Sequence, residues 1–394
     1  MSKPTIAIVL GIRPDVIRAS LVLNGIRSRS EVDVRFIWSG QHYSDNLKNV
    51  FFRELGVAEP DLELGAHGDT DAELSSDVIR RLYPVLEEMR PKATVFLGDT
   101  NTVLGCLASA QLNIPVVHIE GCMRAYDWRM PEEKYRTTID HLSDVIYTYF
   151  DEYKAQGVAE GLNPNNIVVV TNLIVDVLNE YYFARRDRYE AMADASFFAD
   201  RDVERHAYYL MTCHRRENVH IRSSLEAILA LVGDADAPVY FTASYRTQKQ
   251  LADYGLKLPD NVSMVDPIGY DEMLALMVNA KGVITDSGTV VEETCVLGVP
   301  SIQMRKATER PQVYDANSSV KFDPAEPSAY PHDTVFSKVN ALVGTTWEHN
   351  LGDGRASERI IEDLVRRAVE DDFHGHQPDA YHVDISRSYR EDGV

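Results

Sequence analysis

Nothing in the 394-residue sequence approaches the ~20 consecutive apolar residues that a membrane-spanning helix needs. The N-terminus passes from Lys3 straight into the short run Thr5–Leu10, with no cleavage site behind it, so no signal peptide is expected. Cysteine is scarce: Cys106, Cys122, Cys213 and Cys295 are scattered, with no Cys-x-x-Cys pair. That argues against a disulfide framework or a zinc site and fits reduced thiols in a cytoplasm. Positive charge is short too, with 40 basic side chains against 61 acidic ones and a formal net charge of −21. Such a field repels polyphosphate, so neither nucleic acid nor an anionic membrane is an expected partner. Two glycine signatures, GxGxxG and GxxxxGKS/T, are missing, which removes the main support for dinucleotide redox chemistry and for a P-loop. No internal repeat or low-complexity tract appears.

What is present is a core-forming chain, 44% apolar, long enough for two or three domains. Short β-branched runs alternate with amphipathic stretches. Strand-like runs fall at Thr5–Leu10, Val32–Ser39, Ala93–Leu97, Pro115–Ile119, Val145–Thr148 and Ile167–Val170. They resume at Tyr208–Thr212, Pro238–Thr242, Ser263–Val265, Gly282–Thr285 and Pro300–Gln303. Apolar runs without alternation, each followed by a helical pattern, predict parallel sheets covered on both faces. Six strands, a charged break from about Tyr181 to His206, and five more predict an α/β protein of two Rossmann-like doubly wound domains. The expected boundaries are 1–175 with the C-terminal segment 355–394, and 176–354. The helix predicted at Ala356–Val369 is expected to cross back onto the first domain. His374, His376 and His382 are read as a solvated tail rather than a metal site.

In doubly wound folds ligands bind outside the carboxyl ends of the strands. Five clusters occupy such positions. Gly11-Ile12-Arg13-Pro14-Asp15 follows the first strand, combining a tight turn, a guanidinium and a helix-starting proline. Gly98-Asp99-Thr100-Asn101-Thr102 follows another strand; Asp99 ends it, and Thr100 or Thr102 could cap the next helix. His118-Ile119-Glu120-Gly121 leads to Arg124 and Arg129-Met130-Pro131-Glu132-Glu133, and hiding both His118 and Glu120 in a core would be costly. Cys213-His214-Arg215-Arg216-Glu217-Asn218 joins an imidazole to paired guanidiniums, suited to an anionic leaving group. Asp286-Ser287-Gly288-Thr289 opens a helix carrying Glu292 and Glu293 and is followed by Arg305 and Glu309-Arg310; its free N–H groups and hydroxyls suit a diphosphate. Carboxylates on one side of a cleft would then face an anion held on the other.

These clusters, in this order, closely resemble the non-hydrolysing UDP-N-acetylglucosamine 2-epimerase family, from Ile6 to about Asp315. The carrying strings are GDTNT, HIEG with RMPEE, CHRREN, and TDSGTVVEE with MRKATERP. The resemblance implies a GT-B-like pair of domains, a UDP-sugar as partner, inversion at C2 with no cofactor and no metal, and a homodimer. It implies Asp99, Glu120, Glu132 and His214 as catalytic, with Glu120 or Asp99 as base and Glu132 as proton-exchanging partner. Arg13, Arg18, Arg215, Ser287, Gly288, Glu293 and Arg310 match substrate-binding positions, and Gln41 and His42 match a second nucleotide-sugar site. SGQHYSDN, VFFRELG and RMPEE are similar to the branch acting on 6-deoxy or 2,3-diacetamido UDP-sugars. The chain departs from the family pattern at Arg18 (usually lysine), Gly288-Thr289, Ser244-Tyr245, Thr171-Asn172 and Ser44. The alternative readings are a modified-sugar 2-epimerase and a hydrolysing epimerase releasing N-acetylmannosamine and UDP. More distant are a GT-B glycosyltransferase, which would not need all three carboxylates, and a non-catalytic sensor, which should have lost some of them.

Overall fold

The computed structural model describes residues 3–40, 50 and 52–375. Gln41 and His42 lie outside the described residues, as do Ser44, His376 and His382. Two parallel sheets form the architecture. The first contains β1 (Thr5–Leu10), β2 (Asp33–Trp38), β3 (Leu62–Glu63), β4 (Ala93–Leu97), β5 (Val116–Ile119), β6 (Val145–Thr148) and β7 (Ile167–Val169), in the order β3-β2-β1-β4-β5-β6-β7. The second contains β8 (Tyr209–Thr212), β9 (Val239–Thr242), β10 (Val262–Val265), β11 (Gly282–Thr285), β12 (Ser301–Met304) and β13 (Ser319–Phe322), in the order β10-β9-β8-β11-β12-β13. The apolar runs behave as parallel strands must: β4 and β5 are buried along their whole length because helices cover both faces.

The helices that position the site are α1 (Arg13–Arg27), α2 (Asp71–Met89), α3 (Pro131–Leu142), α4 (Leu173–Tyr181), α5 (Gly288–Leu297) and α6 (Ala356–Glu370). Helix α6 packs against α1 and α4. Its apolar stripe of Ile360, Ile361 and Leu364 is buried there, and Gly25 of α1 leaves the room: a Cβ on it would meet Ile361 at 2.2 Å. Asp176 of α4 accepts the N–H groups of Ala356 at 3.2 Å and Ser357 at 2.7 Å, satisfying donors that the first turn of α6 would otherwise leave unpaired.

Among the described residues the sheets hold seven and six strands, not the six and five expected from sequence. β3 has two exposed residues, too few for any periodicity, and β13 mixes Ser319 and Lys321 into a partly exposed edge. Both sheets change winding direction between their first strand and the strand beside it, at β1/β4 and at β8/β11. The loops leaving those four strands carry four of the five clusters, and the other follows β5, next to β4. The clusters therefore lie at or beside the two topological switch points, where ligands of doubly wound folds bind.

Candidate active site

A cavity of about 600 Å³ opens between the carboxyl ends of the two sheets. Its wall brings together Arg13, Arg18, Asp99, Glu132, His214, Arg215, Ser287, Gly288, Glu293 and Arg310. Glu120 is not part of that wall. It lies behind it, 3% exposed, paired with Arg18 and, at 2.7 Å, with Arg310. His118 is buried as well, contrary to expectation: it is hydrogen-bonded to Asp140 at 2.7 Å and to the Gly98 carbonyl at 2.8 Å, so its polarity is satisfied inside the core. Glu120 has φ +78°, a left-handed conformation that costs a non-glycine residue energy and is tolerated where function or packing imposes it.

On the first-sheet side, Asp99 follows β4 and accepts two hydrogen bonds from Arg136 of α3, at 3.0 and 2.7 Å. Burial would raise the Asp99 carboxyl, but Arg136 and then Arg215 outweigh it and hold it at about 2. Glu132 sits in the first turn of α3. Burial dominates there and raises its pKa, Arg215 pulls it back, and Asp99 pushes it up further. The wall thus carries one carboxyl driven toward the ionised state and one toward the neutral state, a division suited to a base and an acid. Thr100 and Thr102 do not cap the next helix: Thr100 makes no capping bond, and the Thr102 hydroxyl meets Ser39 at 2.8 Å.

On the second-sheet side, Asp286 organises the loop after β8. Fully buried, it accepts the N–H groups of His214 and Arg215 at 3.0 and 2.9 Å and the Asn218 amide at 3.1 Å. Its carboxylate lies 3.3 Å from His214 Nδ1, and the imidazole keeps 43% of its surface open. Burial against the cleft wall lowers the His214 pKa, Asp286 partly restores it, and Arg215 and Arg246 push it down again. Ser287 caps α5, accepting the Val290 N–H at 3.4 Å. Arg310 reaches from the far loop to Glu120 on the first-sheet side and Glu292 of α5. Gly288 makes this possible, since a Cβ there would meet Arg310 Nε at 2.5 Å. Glu309 is ringed by Arg305, Arg136, Arg215 and Arg310, which override burial and hold it well below the carboxylate range.

The chain as a whole resembles known proteins. The family model described as UDP-N-acetylglucosamine 2-epimerase matches residues 24–365. The chain belongs to that family. It is 33% identical over 371 residues to the UDP-N-acetylglucosamine 2-epimerase of Methanocaldococcus jannaschii, covering 91% of this chain and 98% of that one. It is 30% identical over 369 residues to the UDP-2,3-diacetamido-2,3-dideoxy-D-glucuronate 2-epimerase of Pseudomonas aeruginosa, with 91% and 98% coverage. A crystal structure of the Methanocaldococcus jannaschii enzyme in complex with UDP-GlcNAc and UDP superposes with a TM-score of 0.82 at 30% identity, over 92% of this chain and 99% of that one. The protein is thus an isomerase of the 2-epimerase family with a GT-B-like fold.

For an epimerase of this family, sequence reasoning left out two residues that orient the wall. Arg136 lies four residues after Glu132 on α3, hence on the same helix face, a spacing that could have flagged it. Asp286 was visible only as a helix-start residue, and its partners come from another strand's loop. Glu293, expected at a substrate-binding position, accepts the Tyr270 hydroxyl at 2.8 Å while lining the cavity.

Glu293 also yields a stability prediction. Burial raises its pKa from 4.5 to about 7, with Tyr270 opposing the rise. A carboxyl with a raised folded-state value favours the fold while protonated, so it costs stability as pH climbs through 4.5 to about 7. Glu293→Gln keeps an acceptor for Tyr270 and removes the charge. The variant should be more stable than wild type at pH 8, by at most about 3 kcal/mol at ~1.4 kcal/mol per pH unit, and no more stable near pH 4. Thermal melts at the two pH values check this.

Proposed function

We propose that this protein interconverts UDP-N-acetylglucosamine and UDP-N-acetylmannosamine without hydrolysis. The observation that carries the reading is the division of the cavity wall: Asp99, held ionised by Arg136 and Arg215, and Glu132, raised by burial, on one side, and Ser287, Gly288, Arg310 and His214 around an anion site on the other. The hydrogen at C2 is not alpha to a carbonyl, so simple deprotonation is out of reach. When UDP departs, the C1–O bond breaks, a wall carboxylate takes the C2 proton, and the C1=C2 bond of a 2-acetamidoglucal forms. UDP then re-adds through its oxygen to C1 while a proton reaches C2 on the opposite face. Two faces require two proton carriers, and Asp99 and Glu132 are the catalytic carboxyls on the wall. Glu120 would have to break its pairs with Arg18 or Arg310 to take part, so its role in this scheme is to aim those guanidiniums. His214, with Asp286 at Nδ1, presents Nε2 to the leaving diphosphate, whose charge would raise the depressed imidazole and favour a donated proton.

The working division into residues 1–175 with 355–394, and 176–354, belongs to this proposal, as does a homodimer, which sedimentation would read directly. The Pseudomonas aeruginosa relative favours a second reading, in which the sugar carries further substituents. Incubation with UDP-N-acetylglucosamine in D2O, followed by proton NMR, separates these. The first reading expects UDP-N-acetylmannosamine to grow in, with deuterium at C2. Free N-acetylmannosamine plus UDP would overturn the non-hydrolysing scheme. No exchange with the parent sugar, but exchange with 6-deoxy or 3-acetamido UDP-sugars, would establish the second reading.

A further inference from the structure

The string Gly98-Asp99-Thr100-Asn101-Thr102 leaves β4 directly at the cavity, and its polar side chains have partners with one exception. Asp99 is held by Arg136. Asn101 donates to Ser75 Oγ at 2.9 Å and to the Tyr135 hydroxyl at 3.1 Å. Thr102 meets Ser39. Within this string Thr100 is the exception, with a buried hydroxyl oxygen that has no hydrogen-bond partner among the described residues; Thr94, Ser109, Tyr149 and Ser357 have such hydroxyls too, but none of them lines the cavity. Thr100 stands in the position that should cap the following helical turn, yet its side chain does not do so. It lines the cavity beside Asp99, on a wall where Glu132 Oε2, Arg215 Nε and Arg310 Nε are likewise buried without a hydrogen-bond partner. A buried hydroxyl without a partner is destabilising and is retained where something outside the fold satisfies it. Valine has the same shape and would remove the deficit, so the hydroxyl needs a reason.

We propose that Thr100 is a sugar-binding residue: its hydroxyl hydrogen-bonds a polar substituent of the pyranose next to the reacting C2, and nothing of the nucleotide. The side of the cavity decides between the two. Of the diphosphate and ribose candidates, Ser287, Gly288, Glu293 and Arg310 come from the second sheet's loops and α5 and only Arg13 from the first-sheet side, whereas Thr100 shares its loop with Asp99, the carboxylate next to it on the cavity wall. This inference rests on the UDP-2-acetamido-sugar reading above and names the residue that would sense the sugar within it.

The test compares Thr100→Val and Thr100→Ser with wild type, using calorimetric affinities for UDP and for UDP-N-acetylglucosamine together with thermal melts. Thr100→Val should weaken UDP-N-acetylglucosamine about tenfold, the effect of one lost hydrogen bond, and leave UDP affinity unchanged. Its melting temperature should equal or exceed that of wild type, because the orphan is gone. Thr100→Ser should bind both ligands as wild type does. Equal weakening of both ligands, no change in either, or a lowered melting temperature would each overturn the assignment; the last would mean that the hydroxyl serves the fold. Turnover of wild type in D2O is run in parallel. Absence of epimerisation would sink the substrate reading, while the ratio of the two affinities would still decide the role of Thr100.

Discussion

Glu132→Gln should lower the kcat of epimerisation by about a thousandfold, within the range that a positioned general acid or base supplies, and leave UDP affinity close to wild type. Glu132 lies in the first turn of α3, where the helix dipole would favour a carboxylate. Burial and the neighbouring Asp99 charge nevertheless win over Arg215 and raise its pKa. A carboxyl driven up from the usual range is a stronger proton acceptor than an ordinary carboxylate and holds its proton to higher pH. Asp99, held at about 2, stays ionised and is a weaker proton acceptor. Glutamine reproduces the shape of Glu132 and removes only the exchangeable proton, so the loss should appear in kcat and not in KM. Deuterium incorporation at C2 should fall in parallel. A variant that retained more than about a tenth of wild-type kcat, far outside the expected range, would remove Glu132 from the proton path and bring Glu120, the alternative base to Asp99, back into it.

Much of this wall was legible in the sequence for a simple physical reason. A parallel strand is a buried apolar run, and a polar residue at its carboxyl end has only the ligand-binding edge of the sheet to occupy. That logic places Arg13, Asp99, His214 and Ser287 from their position after β1, β4, β8 and β11 alone. It fails where a side chain's fate depends on a partner from another element. Asp286 reads as a helix-start residue until the pairing of β8 with β11, Thr212 opposite Thr285, sets it beside Cys213 and His214. Glu120 reads as a wall carboxylate because it ends β5. Its withdrawal behind the wall follows from two guanidiniums that arrive from α1 and from the loop before residue 311. β3 and β13 escaped notice because an edge strand needs only one buried face and a few residues, which leaves too little apolar pattern to recognise.

Arg310→Met should cost about 3–5 kcal/mol of folding stability, the usual consequence of deleting one partner from a buried ion network. Arg310 is 4% exposed and lies between Glu120, 3% exposed, and Glu292, 1% exposed. Removing it takes the charged partner from Glu292, which keeps only the Asn172 amide at 2.6 Å, and leaves Glu120 with Arg18 alone. The sign with pH follows from the groups left behind. In wild type, burial raises Glu120, but Arg18 and Arg310 outweigh it and the net shift is downward, so this carboxylate supports the fold above its ordinary range and loses that support in acid. Burial already raises Glu292 against the pull of Arg310; in the variant that pull is gone, so Glu292 rises further and Glu120 rises from its depressed value. The deficit should therefore be largest at pH 7 to 8 and should shrink toward pH 5 as the stranded groups protonate. Urea melts at the two pH values measure it. Adding Glu120→Gln and Glu292→Gln to Arg310→Met should recover most of the stability by neutralising the stranded charges, while UDP binding stays lost because the guanidinium is gone. If the triple variant were no more stable than the single one, the cost would lie in lost packing of the Arg310 side chain and not in buried charge. The link between the two sides of the cleft would then be steric, with Gly288 serving only to make room for it.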